Sequence, residues 1–227
     1  MCYRRAAVAL TTNGSLDRCG SELCRFFSSS TKPEPLFLWL GDEGGKEKGV
    51  PVSKKLLLPV PHATSPTVKT PEDVVSLVNV HYDKSHFVGG MGEEDPGVWF
   101  ATVAGASRDT LEWSDLIQQA IEQVKEQRHG IPFGVYTTGL LDTSAVPWND
   151  LDLDTLQVSL FAASPKDYAQ ASGESEKAFG QICGFIAEAV EQGMAVEVGV
   201  LPQHAESARS LAMSLGARHV HIVSPST

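Results

Sequence analysis

The densest group of side chains able to bind a metal runs from His81 to Asp95: His81, Asp83 and His86, with Glu93 and Glu94 a few residues on. Imidazole nitrogens and carboxylate oxygens are the donors that zinc or another divalent ion takes when it activates water. The spacing matches no named metal motif, and the same residues in a polar, glycine-rich loop also read as solvated surface. Nucleophilic catalysis finds no support. The chain holds no Gly-x-Ser-x-Gly elbow, and Cys183 falls on the inward face of a helix pattern, where a thiol is an inert packing residue. His129, His219 and His221 stand at helix or strand ends and read as structural.

Short β-type runs alternating with helix-period stretches must position these residues, and that alternation is the signature of parallel βα units. Strands are expected at 74–80, 98–104, 131–136, 156–161, 195–201 and 219–223. Between them, Trp113, Leu116, Ile117, Ala120, Ile121 and Val124 line one helix face, with Gly130 as its stop. Ser164 and Asp167 form a capping box for a helical turn through Tyr168. Further helices are expected at 174–192, stopped by Gly193, and at 206–215, stopped by Gly216, with a short helical turn near 148–153. This rhythm is close to the roughly 31 residues per unit of a full eight-fold barrel, which points to a partial (β/α)6 barrel. A doubly wound sheet is the other architecture, but no glycine-rich phosphate turn follows the first expected strand. Ligands of parallel βα folds bind at the carboxyl ends of the strands. The residues there include Gly105 to Asp109, Thr137 to Gly139, Ser159 within its strand, and Pro202 to His204.

The 227 residues suit one domain, and three segments are expected: 1–32, 33–70 and 71–227. Residues 1–32 read as an organellar targeting leader or a disordered tail. Arg4 and Arg5 stand near the start, and an Arg-Phe-Phe-Ser-Ser-Ser run at 25–30 suits a mitochondrial processing site. Asp17 and Glu22 are atypical of such leaders. Mitochondrial localisation is expected, with plastid or cytoplasm as alternatives. Residues 33–70 read as an irregular extension with a hairpin between the apolar runs 36–40 and 56–60. Residues 1–34 carry a net charge of +2 and the rest −12, so the acidic body disfavours a phosphate backbone and offers no surface for anionic lipid. Neither nucleic acid nor membrane is expected as a partner. Three of the four cysteines, Cys2, Cys19 and Cys24, precede residue 25 and only Cys183 follows, which excludes a disulfide scaffold.

The runs Ile131-Pro-Phe-Gly-Val-Tyr-Thr-Thr-Gly-Leu-Leu141 and Leu156-Gln-Val-Ser-Leu-Phe-Ala-Ala-Ser-Pro-Lys-Asp-Tyr168 resemble the middle of a radical S-adenosylmethionine (radical SAM) barrel. The helix from Phe179, the Val196-Glu-Val-Gly-Val-Leu strand and the Leu215-Gly-Ala-Arg-His-Val-His-Ile tail continue the resemblance, over roughly 97–224. It implies a TIM-like partial (β/α)6 barrel of radical SAM type, here with a shortened first βα unit, because the loop His81 to Pro96 is too short for the usual loop plus a full first helix. It also implies S-adenosylmethionine as the cofactor, with Gly105, Thr137, Thr138, Gly139 and Ser159 as candidate contacts; the hydroxyls equally suit the satisfaction of strand ends. The departures fall on the chemistry. That family's cluster needs three closely spaced thiolates after strand one, and the loop His81 to Pro96 has no cysteine. Gly105 matches the Gly-Glu motif after strand two but the acid is missing, and Thr138 stands where asparagine is usual.

The sequence therefore points to a radical-SAM-like pseudoenzyme without an iron–sulfur cluster, a soluble non-radical module that binds a ligand or a protein partner in an organelle. The alternatives are a divalent-metal enzyme using His81, Asp83 and His86, and a radical enzyme with an unconventional cluster site.

Overall fold

A computed structural model describes residues 34–41, 65–84, 95–102 and 108–223. The protein is an α/β fold built on a seven-stranded, wholly parallel sheet. The strands are β1 (Leu36–Leu40), β2 (Thr67–Val68), β3 (Val98–Thr102), β4 (Phe133–Thr137), β5 (Thr155–Phe161), β6 (Val196–Val200) and β7 (His219–Ile222). The helices among the described residues are α1 (Pro71–Lys84), α2 (Ser114–Gln127), α3 (Pro165–Ser172), α4 (Glu176–Glu191) and α5 (Ala205–Ser214). From β3 onward each strand and helix lies where the sequence places it. The turn expected near 148–153 contains no helix; a 3₁₀ turn, Thr143–Ala145, precedes it.

The first βα unit differs from expectation. Residues 74–80 form the middle of α1, not a strand. The run Val-Val-Ser-Leu-Val-Asn-Val is rich in β-branched residues, but its local signals are helical. Pro71 opens the helix with its φ already set. Thr70 and Asp73 cap each other: Asp73 N donates to Thr70 Oγ1 (3.2 Å) and Thr70 N to Asp73 Oδ2 (3.1 Å). Val74 and Val78, one turn apart, are then fully buried. The strand paired with β3 is instead β1, within the stretch expected to be an irregular extension, in register Leu36↔Val98 through Leu40↔Thr102. The second run of the expected hairpin, 56–60, lies outside the described residues, as do 1–32. The first βα connection, from Leu40 to Pro71, is thus long and not shortened.

Strand order is β2-β1-β3-β4-β5-β6-β7, so the six longer strands follow one another across the sheet. Right-handed crossovers between parallel strands then carry the helices from α1 to α5 to one face. The main core lies there: Leu38, Phe100, Val135, Val158 and Val198 of the strands pack against Val78, Ile121, Tyr168, Ile186 and Ala212 of the helices. The alternate strand residues point to the opposite face. There Phe37, Ala101 and Tyr136 form a second cluster, flanked by Trp39 and Trp99, that includes no helix residue. No described helix is long and apolar enough to cross a membrane.

Candidate functional site

Two polar groups occupy the sheet, one at the carboxyl ends of its strands and one on the face where no described helix packs. The first is built around Asp109, which the sequence left without a role. Asp109 caps the 3₁₀ turn Thr110–Trp113 in a reciprocal box with Glu112, whose carboxylate accepts from Asp109 N at 2.8 Å. Its Oδ1 accepts from Leu111 N (3.0 Å) and Thr137 Oγ1 (2.7 Å); its Oδ2 accepts from Thr138 N (2.8 Å) and Thr138 Oγ1 (2.7 Å). One carboxylate thus joins the turn after β3 to the end of β4. Next to it, Thr102 N donates to Thr110 Oγ1 at 3.0 Å.

Thr137 and Thr138, expected as cofactor contacts, come together here with their hydroxyl protons donated to Asp109. Gly139 has a positive φ of 69°, and a Cβ there would lie 3.1 Å from Val158 Cγ1 and 3.2 Å from Phe185 Cδ1. Left-handed backbone and close packing both call for glycine. Ser159 is buried in the adjacent strand β5, on the other face of the sheet from Val158. Gly105 lies outside the described residues.

The second group is a row running across β4 to β7 in register. Tyr136 pairs with Gln157, Gln157 with Glu197, and Glu197 with His219; one step further along, Ser159 pairs with Gly199 and Gly199 with His221. Residues paired in parallel register share a face. These belong to the side opposite the described helices, because Val158 and Val198 between them enter the main core. Gln157 is 3% exposed, and its Nε2 has no hydrogen-bond partner. Glu197 and His221 meet at 2.6 Å. The bond to His221 holds the Glu197 carboxyl below its ordinary range, and the same bond raises the His221 imidazole. Burial, with the charge of Glu197 added, pushes the Tyr136 phenol upward, so it stays protonated.

Aromatic rings wall the row on the β3 and β4 side. Trp99 lies across Gly134: a Cβ at Gly134 would fall 2.5 Å from its ring carbons. The Trp99 and Tyr136 centroids are 4.9 Å apart. At the far end of β5, the register with β6 shifts between Ser159 and Phe161, and Phe161 takes a φ of 61°. Left-handed backbone at a bulky residue stores strain of order 1–3 kcal/mol. It is held by Ala162 N donating to Leu160 O (2.7 Å), by Leu201 N donating to Phe161 O (3.0 Å), and by the ring standing edge-on to Tyr168.

The sequence reading missed Tyr136, Gln157, Glu197 and the Trp99 wall, and read His219 and His221 as structural. The available signal was alternation. A strand buried on both faces reads as a continuous apolar run, whereas Leu-Gln-Val-Ser-Leu and Val-Glu-Val-Gly-Val place a polar or small residue at every second position.

Of the expected metal ligands, the described His81 and Asp83 are not at the carboxyl end of a strand. His81 and Asp83 lie in the last turn of α1, on the side from which the chain enters β3. Asp83 pairs with Arg128, whose Nε donates to Asn79 Oδ1 at 2.8 Å, and Tyr82 beside them donates to Asp95 at 2.7 Å. These bonds tie α1 to the end of α2 and to the start of β3. His86, Glu93 and Glu94 lie outside the described residues, and among the described residues no three His, Cys, Asp or Glu side chains are grouped to hold a metal. Cys183 is half-buried in α4, and burial pushes its thiol up, away from the thiolate a metal or cluster needs. With strand one now at 36–40, the loop that follows it also lacks cysteine, as does every position from 25 to 182.

No match to the chain is found among known protein families or among curated proteins.

Proposed function

We propose that this protein is a partial (β/α)6 barrel of radical SAM type that has lost its cluster and acts by binding, not by radical chemistry. The observation that carries this reading is the sheet face on which none of the described helices packs. Six strands follow in sequence, the described helices pack on one side and a polar row from Tyr136 to His221 lines the other, an arrangement that supports a barrel with its interior on that side. A doubly wound sheet carries helices on both faces, and none of the described helices lies on this one.

The residues do not fit an iron–sulfur cluster. Its ligands are thiolates, and neither loop that could hold them contains a cysteine. The S-adenosylmethionine contacts implied by the resemblance are partly engaged within the protein, since Thr137 and Thr138 donate to Asp109. The reading is therefore of a non-catalytic ligand- or partner-binding module, working in the organelle to which the leader pattern of residues 1–32 points.

The test uses the full chain, purified anaerobically with iron and sulfide, followed by metal analysis, the visible spectrum and calorimetric titration with S-adenosylmethionine. Iron below stoichiometry and no charge-transfer band are expected. A stoichiometric, chelator-resistant cluster overturns the reading.

A further inference from the structure

An unpaired buried donor is rare in native proteins and calls for a partner. The Gln157 amide is such a donor, and its place in β5 fixes where the partner has to be. In register Gln157 lies between Tyr136 of β4 and Glu197 of β6, so the missing acceptor belongs to the face on which no described helix packs. The Glu197 carboxylate beside it is engaged with His221 on the far side and leaves the amide unpaired. The row therefore presents a donor at Gln157 and an acceptor at Glu197, on adjacent strands about 4.8 Å apart. His221 offsets the charge of Glu197, which suits a neutral ligand better than an ion. On the other flank the Trp99 ring, flat over Gly134 and against Tyr136, supplies an apolar wall.

We propose that this face binds a neutral, planar heterocycle with a lactam or imide edge, its ring C=O accepting from Gln157 and the adjacent ring N–H donating to Glu197. Such a ring has two apolar faces for the aromatic wall and one edge on which acceptor and donor stand side by side. The inference rests on the binding reading above and adds the class of ligand.

Uracil is the probe, with N,N′-dimethyluracil, which keeps the carbonyls and lacks both N–H groups, as its control. Binding to the full chain is followed by the side-chain amide resonances of nitrogen-15-labelled glutamine and by tryptophan fluorescence. Uracil is expected to shift the Gln157 amide saturably, and the dimethyl derivative and Glu197→Gln each to bind roughly tenfold more weakly, as the loss of one charge-assisted hydrogen bond gives. Gln157→Leu is expected to fold, by circular dichroism, and to lose binding; Glu122→Gln, on the exposed side of α2, leaves it unchanged. Equal affinity for the two uracils, no shift with uracil, or full binding by Gln157→Leu overturns the proposal. S-adenosylmethionine titrated into the same sample separates the two readings. If it binds where uracil does not, the ligand class alone fails; an assembled cluster defeats the non-radical reading and leaves the Gln157 result standing.

Discussion

Replacing Gln157 by leucine is expected to stabilise the protein while abolishing its ligand binding. Gln157 is 3% exposed and its Nε2 is unpaired, and a buried donor in that state costs about 1–3 kcal/mol. Leucine has a similar volume, removes the unpaired amide and buries apolar carbon next to Tyr136. Against this stands a change of shape in a packed strand, which costs up to about 1.5 kcal/mol. The balance is a gain of about 1 kcal/mol, or about 2–4 °C in melting temperature for a chain of this size. Calorimetry and urea denaturation on the ligand-free protein measure it. Gln157→Ala serves as the contrast, because it removes the amide and leaves a cavity, and it is expected to gain nothing. A loss of more than about 1 kcal/mol in Gln157→Leu means that the amide has a partner within the fold. The ligand argument then loses its basis.

Asp109→Ala removes the acceptor of four hydrogen bonds and one half of a capping box, and is expected to cost about 2–4 kcal/mol in urea denaturation. Asp109→Asn is expected to cost less, because the amide oxygen still accepts while its NH₂ faces donors. Gly134→Ala places a methyl against the Trp99 ring and displaces it, which a red-shifted tryptophan emission and weakened uracil binding report. The Glu197–His221 pair sets a pH optimum. The raised His221 contributes fully below its unfolded pKa near 6.5 and is lost as pH rises through the folded value; the lowered Glu197 contributes above about 4.5 and is lost as pH falls through its folded value. Stability from the pair is therefore greatest between about pH 4.5 and 6.5. Because His221 is 44% exposed, the amount is under about 1 kcal/mol, and His221→Ala is expected to flatten the dependence.

Much of the fold was legible in the sequence because its elements carry redundant signals. The helix 114–127 has both its apolar spacing and a glycine just beyond it, and the strands from β3 onward are apolar runs of the right length. The first unit was not legible, because β-branched composition and capping chemistry disagree there. Val74 to Val80 reads as a strand by residue type, while Thr70, Pro71 and Asp73 start a helix, and the helix prevails because its caps are made and Val74 and Val78 find the core. β1 escaped for the opposite reason: Leu36–Leu40 is a clear apolar run, but its partner strand lies some 60 residues away, and nothing local announces a parallel pairing of that range. The placement of His81 and Asp83 changes with it. With 74–80 taken as a strand, His81 and Asp83 fall at a carboxyl edge; in the helix they fall at the opposite end of the sheet, where Asp83 and its neighbours tie elements together.

Whether buried polar groups are satisfied from within separates the two polar sites of this sheet. Asp109 is saturated by Leu111, Thr137 and Thr138, so each of its interactions is complete without a ligand, and any molecule binding there has to displace bonds already formed. Gln157 is the reverse, a donor withdrawn from water with nothing opposite it, which folding alone does not reward. A site retained only for structure resembles the first, since the fold gains from every bond. A site retained for binding resembles the second, because the unpaired group becomes favourable only when a partner arrives. The two residues should then respond to removal with opposite signs, Asp109 by destabilising the fold and Gln157 by relieving it. That difference in sign tests the proposal that the strand ends serve stability and that the face without described helices serves binding.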